Sequence, residues 1–355
     1  MKRKFTTAYA VGLLLLLIGG MIAVAVSAFA EIETLVEACV GLLISFALAP
    51  ACHELGHYAF AVGANMRIVY LKCFCFRYYR KNGKGRMGLC SPFLADETQV
   101  LPKSGGNMKK RVSAYAMGGL VFGGIFLAVI AVAACITAVA ARPDFLLFGM
   151  LPYAAYLFFL NLAPLAYPSG KTDSLVLRGI LRGEAEESVL LAAMEFYGEL
   201  YEGKGYQDLE KEKLFSLPQL SEEEPLYALV LDLKYRYALA VEDFALAEDS
   251  LKRLLQSEEY LTDSAYESLK IELVYFSLLL GEDAPLKKLQ ETDEAFLRSD
   301  DYRAKRILAL YSALTGGKEQ AEALIEQGLA LLAKEEVAGV RELEKTLLAR
   351  IKERI

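Results

Sequence analysis

Long apolar runs separated by short charged breaks fill the first half of the chain, whereas the second half has the spacing of amphipathic helices. Each apolar run has about the 20 residues that a helix needs to cross the hydrocarbon core of a bilayer. The sequence therefore predicts an all-α membrane domain of about four spans, at Ala8–Ala30, Leu35–Ala64, Val112–Ala141 and Phe145–Tyr167.

The first apolar run follows the basic stretch 1–4 and ends in Ala28-Phe29-Ala30. That ending is typical of a signal-peptidase site, but the run is longer than the core of a usual signal peptide. We therefore interpret it as a retained span rather than a cleaved signal. A basic N terminus stays in the cytoplasm, so four spans in a cell membrane place the C-terminal domain in the cytoplasm as well.

Between the second and third runs the pattern changes to that of β-strands. Apolar and basic residues mix over Met66–Arg80, a break follows at 81–85, and a short apolar stretch resumes at Leu89–Phe93. This pattern predicts a small β-hairpin. Its many Lys and Arg residues indicate a cytoplasmic loop, which either faces phospholipid head groups or guides a substrate.

From Glu184 onward the chain is rich in Leu, Ala, Tyr and charged residues, and pairs of helices recur about every 35–40 residues, near the period of tetratricopeptide repeats. We predict a membrane domain at 1–183 and a soluble helical domain at 184–355, built either of tetratricopeptide-like repeats or as an irregular bundle. The predicted helices are Pro225–Ala240, Phe244–Leu255, Ser264–Leu280, Pro285–Leu297, Tyr302–Leu314, Glu319–Leu332 and a final Val337–Ile355.

Composition agrees with this division. The mean hydropathy of +0.30 is high for a soluble protein. Residues 1–174 carry 16 Lys and Arg against 8 Asp and Glu, whereas residues 175–355 carry 23 against 37. The acidic second half argues against nucleic acid as a partner. The 6 cysteines lack the spacing of a disulfide framework or a Cys-based metal site, which indicates core or reduced thiols.

The strongest candidate for chemistry is His53-Glu54-Leu55-Gly56-His57, near the end of the second run. On a helix, His53 and His57 lie one turn apart on the same face, which lets two imidazoles bind one zinc ion while Glu54 accepts a proton from water. They are the only 2 histidines of the chain. Ionisable residues at membrane depth usually bind a partner or an ion. The alternative is a pair of structural histidines that cap a helix or satisfy each other in the core.

Set in a membrane helix and followed by Asn161-x-x-Pro164 and a later aspartate, this motif resembles the site-2 protease family of intramembrane zinc metalloproteases. The likeness covers Leu35–Gly183 and does not extend to the helical C-terminal region. It implies three zinc ligands and one residue that activates water, which fall here on His53, His57, Asp173 and Glu54.

Two departures from the family pattern affect this assignment. The family commonly has Asp-Gly about eight residues after the Asn, where this chain has Ser169-Gly170, so a longer spacing that ends at Asp173 supplies the third ligand. Asp173 lies just past the cytoplasmic end of the fourth run, and His57 lies near the cytoplasmic end of the second. Both residues are therefore expected at a similar depth in the membrane. The Asn that the family often has after paired glycines is absent after Gly118-Gly119.

The sequence thus predicts a zinc-dependent intramembrane endopeptidase that cleaves a membrane-anchored protein near the cytoplasmic face. The substrate is expected to add as a strand to an edge of the Met66–Phe93 unit. Asn161 is expected either to bind the substrate backbone or the developing oxyanion, or to cap the end of its helix. Expected partners are the substrate, the lipid bilayer and a protein bound by the C-terminal domain. The alternative function is a membrane-anchored helical-repeat adaptor with a vestigial zinc site; a transporter fits less well because four spans are few.

Overall fold

The computed structural model describes residues 2–28, 31–81, 84–92, 96–103, 105–167, 170–222, 224–257, 263–280, 297 and 299–355. Over these residues the chain is mostly helical, with a small antiparallel sheet between the second and third helices. The chain separates into two compact units, of which the first comprises Met1–Arg80 and Gly85–Glu187 and the second comprises Ser188–Ile355.

Four long helices of the first unit coincide with the four predicted apolar runs. They are α1 (Lys2–Ala28), α2 (Ile32–Gly63), α3 (Met108–Val139) and α4 (Phe145–Leu162). Among the described residues, α2, α3 and α4 are long and apolar enough to cross a membrane, whereas the apolar stretch described in α1, Val11–Ser27, is shorter. The prediction that the first half of the chain contains helices able to span a membrane is therefore confirmed for α2, α3 and α4.

Glycines allow α2 to pack closely against both α3 and α4. A Cβ atom on Gly56 would collide with the carbonyl of Gly118 on α3, and a Cβ atom on Gly41 would collide with the carbonyl of Leu146 on α4. Small residues at such crossings let helix backbones approach in a membrane, where tight packing replaces the hydrophobic effect as the driving force. The helix that carries the His-Glu-His motif is thus held between two partners.

A four-stranded antiparallel sheet follows α2, in the order β3-β2-β1-β4. Its strands are β1 (Met66–Cys73), β2 (Phe76–Lys81), β3 (Lys84–Leu89) and β4 (Glu97–Pro102). The predicted hairpin is therefore too small, because three strands fill that region and β4 adds a fourth. In β4 the alternate buried positions are Thr98, Val100 and Pro102. Because two of these three residues are a threonine and a proline, the sequence lacks the alternation of apolar and polar residues by which a strand is recognised.

The second half of the chain continues as helices, and the predicted bounds agree with the structure where both exist. After α5 (Asp173–Arg182) come α6 (Ala185–Glu202), α7 (Lys211–Phe215), α8 (Pro225–Ala240), α9 (Phe244–Leu255), α10 (Asp263–Leu280), α11 (Tyr302–Leu314), α12 (Lys318–Leu332) and α13 (Ala338–Lys352). Apart from Leu297, the predicted helix Pro285–Leu297 lies outside the described residues. Side chains such as Phe196, Leu233 and Leu310 bury a shared apolar core in the second unit.

Candidate metal centre

The two histidines of the motif point to the same place from successive turns of α2. Their Nε2 atoms are 3.2 Å apart. His57 is 4% exposed and Glu54 is 9% exposed, so the motif lies inside the helix packing rather than on the lipid-facing surface. The predicted one-face arrangement of His53 and His57 is present in the structure.

Asp173 reaches the histidines because a tight loop sets the first residue of α5. The short strands β5 (Ala166–Tyr167) and β6 (Gly170–Lys171) bring the chain back after α4. The buried hydroxyl of Thr172 then donates to the carbonyl of Ala163 at 2.7 Å and accepts from the N–H of Leu165 at 3.0 Å. This clamp fixes the start of α5 and with it the direction of the Asp173 carboxylate.

Three potential ligand atoms form a nearly equilateral triangle. Asp173 Oδ2 lies 3.1 Å from His53 Nε2 and 3.2 Å from His57 Nε2, and the third side is the 3.2 Å between the two imidazole nitrogens. Donor atoms bound tetrahedrally to zinc at about 2.0–2.1 Å lie about 3.3 Å apart. Among the described residues, His53, His57 and Asp173 thus each offer one ligand atom to a common point, with all three atoms within 4.8 Å of one another.

The protons on these residues favour a cation at the centre of the triangle. His57 Nδ1 lies 2.8 Å from the backbone carbonyl of Tyr115, which can only accept, so Nδ1 carries the proton of the neutral ring and Nε2 presents a lone pair. That lone pair faces Asp173 Oδ2, a carboxylate oxygen. No described residue places a well-aligned hydrogen-bond donor on this oxygen. Converging lone pairs repel one another unless a cation lies between them, so the donor set fits a zinc ion.

Gly119 keeps the centre of this triangle open. A Cβ atom on Gly119 would lie 2.5 Å from His57 Nε2, 2.5 Å from His53 Cε1 and 2.8 Å from Asp173 Oδ2. These separations are too short for ordinary contacts between non-bonded atoms. The glycine of α3 therefore preserves the space in which the three ligand atoms meet.

Asp173 is ionised in this setting. Burial raises the pKa of its carboxyl, but the two imidazoles, when protonated, oppose that effect by hydrogen bonds and by charge and bring the pKa down to about 2. At neutral pH the side chain is a carboxylate, the form that binds a metal ion. In contrast, burial raises the pKa of the Cys73 thiol to about 11, so this thiol stays protonated at neutral pH. All 6 cysteines are free, which agrees with the prediction of core or reduced thiols.

Glu54 is held by contacts that sequence reasoning did not find. The hydroxyl of Thr98 on β4 donates to Glu54 Oε2 at 2.5 Å, and the phenol of Tyr115 donates to the carbonyl of Thr98 at 2.5 Å. The backbone carbonyl of the same Tyr115 contacts His57. This one residue of α3 therefore supports both His57, a candidate metal ligand, and Thr98, which holds Glu54.

Asn161, the remaining predicted site residue, makes its described hydrogen bond within α4. Its amide nitrogen donates to the carbonyl of Leu157, one turn earlier, at 3.1 Å. This contact is of the kind expected for a residue that supports the end of its helix, and a role at the oxyanion stays a prediction. The pair Gly118-Gly119 was also noted in the sequence, but only as a place for close helix packing. The position of Gly119 beside the two histidines was not predicted.

Comparison with known proteins adds nothing to this geometry. A scan against protein-family models, a search of curated proteins and a search of solved structures each found no match. The function of the chain must therefore be inferred from the arrangement of its own residues.

Proposed function

We propose that the protein is a zinc-dependent intramembrane endopeptidase that cleaves a membrane-anchored protein substrate near the cytoplasmic face. The supporting observation is the convergence of three lone-pair donors, His53, His57 and Asp173, beside the buried carboxylate of Glu54 on the same helix. Two histidines and a carboxylate form a ligand set typical of catalytic zinc, which keeps a fourth position for water or substrate.

The residues of this chain then have separate tasks in peptide hydrolysis. Zinc, when bound, supplies Lewis acidity that polarises the scissile carbonyl and makes an attacking water molecule more acidic. Glu54 accepts the proton that water loses as its oxygen bonds to the carbonyl carbon, and returns it to the leaving amine when the C–N bond breaks. Asn161 has a second amide hydrogen beyond the one donated to Leu157, and we propose that it assists the oxyanion.

The substrate is proposed to reach Glu54 along the free edge of β4. Among the strands that the structure describes, β4 pairs only with β1, and the hydroxyl of Thr98 connects it to Glu54. A substrate helix that unwinds exposes backbone groups that add to such an edge. Among the described strands, the edge next to Glu54 thus belongs to Glu97–Pro102 and not to the Met66–Phe93 unit that the sequence suggested.

The finer topology belongs to the same proposal. With α1 as a fourth, retained span, the basic N terminus, the sheet and the acidic C-terminal helices are all cytoplasmic. Helix pairs such as α8 with α9 and α11 with α12 support a tetratricopeptide-like domain that recruits a protein partner or the substrate.

Zinc content provides the first test. Protein purified in detergent is expected to hold about one zinc ion per chain by mass spectrometry, as one catalytic site requires, and Asp173→Ala is expected to lose it. Wild-type protein that is purified without zinc and cannot take it up would contradict the proposal and favour the adaptor.

Cleavage provides the second test. Membranes of an expression host that makes the wild-type protein are compared, by sequencing of protein N termini, with membranes that contain Glu54→Gln. New N termini inside or next to membrane-spanning segments are expected with the wild type only, while Glu54→Gln still binds zinc. The same N termini at the same yield in both samples would exclude Glu54 from the reaction.

A further inference from the structure

The second unit contains a cavity of about 430 Å³ between α8, α9 and the segment 215–220. Its size lies in the range of pockets that bind small ligands or peptide side chains. Both helices contribute residues at positions i, i+3, i+4 and i+7, so the cavity is a groove along one face of a helix pair. These residues are Tyr227, Val230, Leu231 and Lys234 on α8, and Leu246, Asp249, Ser250 and Arg253 on α9.

Apolar walls surround two cationic side chains in this groove. The Lys234 ammonium lies 5.3 Å from the centre of the Phe215 ring, and the Arg253 guanidinium lies 5.5 Å from the centre of the Tyr227 ring. Cation–π contacts of this length hold a charged group beside an apolar surface. These contacts keep both charges beside the groove, with an Arg253 side chain that is 42% exposed.

The positive charge of the groove is only partly neutralised among the described residues. Among the described ion pairs Lys234 has no carboxylate partner. Arg253 donates to the hydroxyl of Tyr227, which donates to Glu222 Oε1 at 3.0 Å, and its own distance to that carboxylate is 3.7 Å, with a Glu222 side chain that is 74% exposed. An exposed pair at that distance contributes little. Asp249 supplies one negative charge against two positive ones. Burial and the neighbouring Arg253 also lower the pKa of Lys234, as expected for cations that lack a counter-charge.

This groove contrasts with the charge of the region around it. Residues 175–355 carry 23 basic and 37 acidic residues, a balance of −14, yet the groove has an excess of positive charge. A local potential of opposite sign to its surroundings selects ligands by charge as well as by shape. Repulsion from the acidic surface restricts an acidic ligand to the groove.

We propose that the groove binds a short peptide segment in which an aspartate or glutamate adjoins large apolar side chains. The apolar residues fill the walls formed by Val230, Leu231 and Leu246, and the carboxylate forms charge-assisted hydrogen bonds with Lys234 and Arg253. A small molecule would need only one of these features, whereas a groove that runs along two helices suits a chain with alternating side chains. The proposal does not depend on the protease activity.

Selection from a random heptapeptide display library tests this proposal with the full-length protein in detergent. Selected peptides are expected to contain Asp or Glu beside Leu, Ile or Phe. The tightest of them is then measured by fluorescence anisotropy against the wild type and two variants, Lys234→Glu and Lys252→Glu. Lys252 makes a matched control because it lies on the same helix pair, outside the groove, with a side chain that is 61% exposed.

Lys234→Glu is expected to weaken binding about tenfold or more, because it replaces attraction to the peptide carboxylate by repulsion. Lys252→Glu is expected to change it by about twofold or less, since exposed charges contribute little. Circular dichroism checks that both variants remain helical. The proposal is overturned if no peptide is enriched, if the enriched peptides lack acidic residues, or if both variants bind equally well.

Discussion

Two buried clusters of polar side chains, one in each unit, differ in what neutralises them. What we call the metal-ligand cluster of the first unit consists of the proposed ligands His53, His57 and Asp173, and the ion-pair cluster of the second consists of Glu272, Arg306 and Glu344. Burial of such groups is unfavourable unless each charge has a partner. The difference in these partners explains why the metal-ligand cluster indicates a function and the ion-pair cluster a structural role.

The ion-pair cluster contains its own cation. Arg306 is fully buried, with Nη2 at 2.5 Å from Glu272 Oε1 and Nε at 2.8 Å from Glu344 Oε2. The hydroxyl of Tyr235 donates to Glu272 Oε2 at 2.8 Å, and the guanidinium lies 4.1 Å from the centre of the Tyr275 ring. Burial raises the pKa of Glu272, but Arg306 more than offsets this, so the carboxyl stays ionised; burial raises the pKa of Glu344.

The metal-ligand cluster lacks such a cation. Among the described residues no Lys or Arg side chain pairs with Asp173; its neighbours are imidazole nitrogens, one of which faces it with a lone pair. A glycine, Gly119, leaves space beside the ligand atoms, whereas the guanidinium of Arg306 pairs with both carboxylates of the ion-pair cluster. A buried polar cluster thus suits an external ion where the chain supplies ligands and space but no positive charge.

The largest effect is expected from removing the internal cation. Arg306→Met leaves two buried carboxyl groups without their cationic partner, which costs about 3–5 kcal/mol of stability in the second unit. Hydrogen exchange of α10, α11 and α13 in the full-length protein measures this free energy.

The triple variant Arg306→Met, Glu272→Gln, Glu344→Gln serves as the control. It removes both carboxylate charges together with the cation and is expected to recover most of the stability. Exchange in Arg306→Met that matches the wild type would contradict a structural role for the ion-pair cluster.

The next largest effect concerns the metal-ligand cluster. Asp173→Asn removes the negative ligand, and zinc affinity is expected to fall by more than about 100-fold, beyond the 10–100-fold typical of residues that only support ligands. A competition titration with a chromophoric chelator measures the affinity. Glu344→Gln, a carboxylate-to-amide change in the other cluster, is expected to leave it unaltered. Equal affinities in Asp173→Asn and wild type would remove Asp173 from the ligand set.

The space at the centre of the triangle is tested by adding one methyl group. Gly119→Ala places a Cβ atom 2.5 Å from His57 Nε2 and is expected to lower zinc affinity about tenfold or more, as for other disturbed surroundings of a metal site. Gly123→Ala, one turn along α3, makes a matched control because its nearest atoms lie at 3.8 Å. If both variants bind zinc as tightly as the wild type, the space beside Gly119 is not required for zinc binding.

The smallest effect is expected where a hydrogen bond only positions a residue. Thr98→Val retains the shape of the side chain but loses the hydroxyl that contacts Glu54. A hydrogen bond to a charged group contributes about 1.5 kcal/mol, so the cleavage rate should fall about tenfold with zinc content unchanged. Thr98→Ser retains the hydroxyl and should restore most of the rate. A loss of zinc in Thr98→Val would instead indicate a general disturbance of the site.

The sequence by itself determined those features that depend on neighbouring residues. Membrane-capable helices follow from the length of the apolar runs, and the helices of the second half follow from their period, so bounds such as Pro225–Ala240 agree with the structure. The common face of His53 and His57 is set by helical geometry alone. Asp173 was predicted as the third ligand through the family resemblance, not through any local pattern.

The tertiary structure decided which distant residues complete each cluster. Thr98 and Glu54 are 44 positions apart, and their contact depends on the register of β4, a strand that its sequence did not reveal. Gly119 was visible as a packing residue, but only the crossing of α3 over α2 directs it at the histidines. Helical period and apolar length are local properties, whereas the position of one side chain opposite another is set by how whole elements pack.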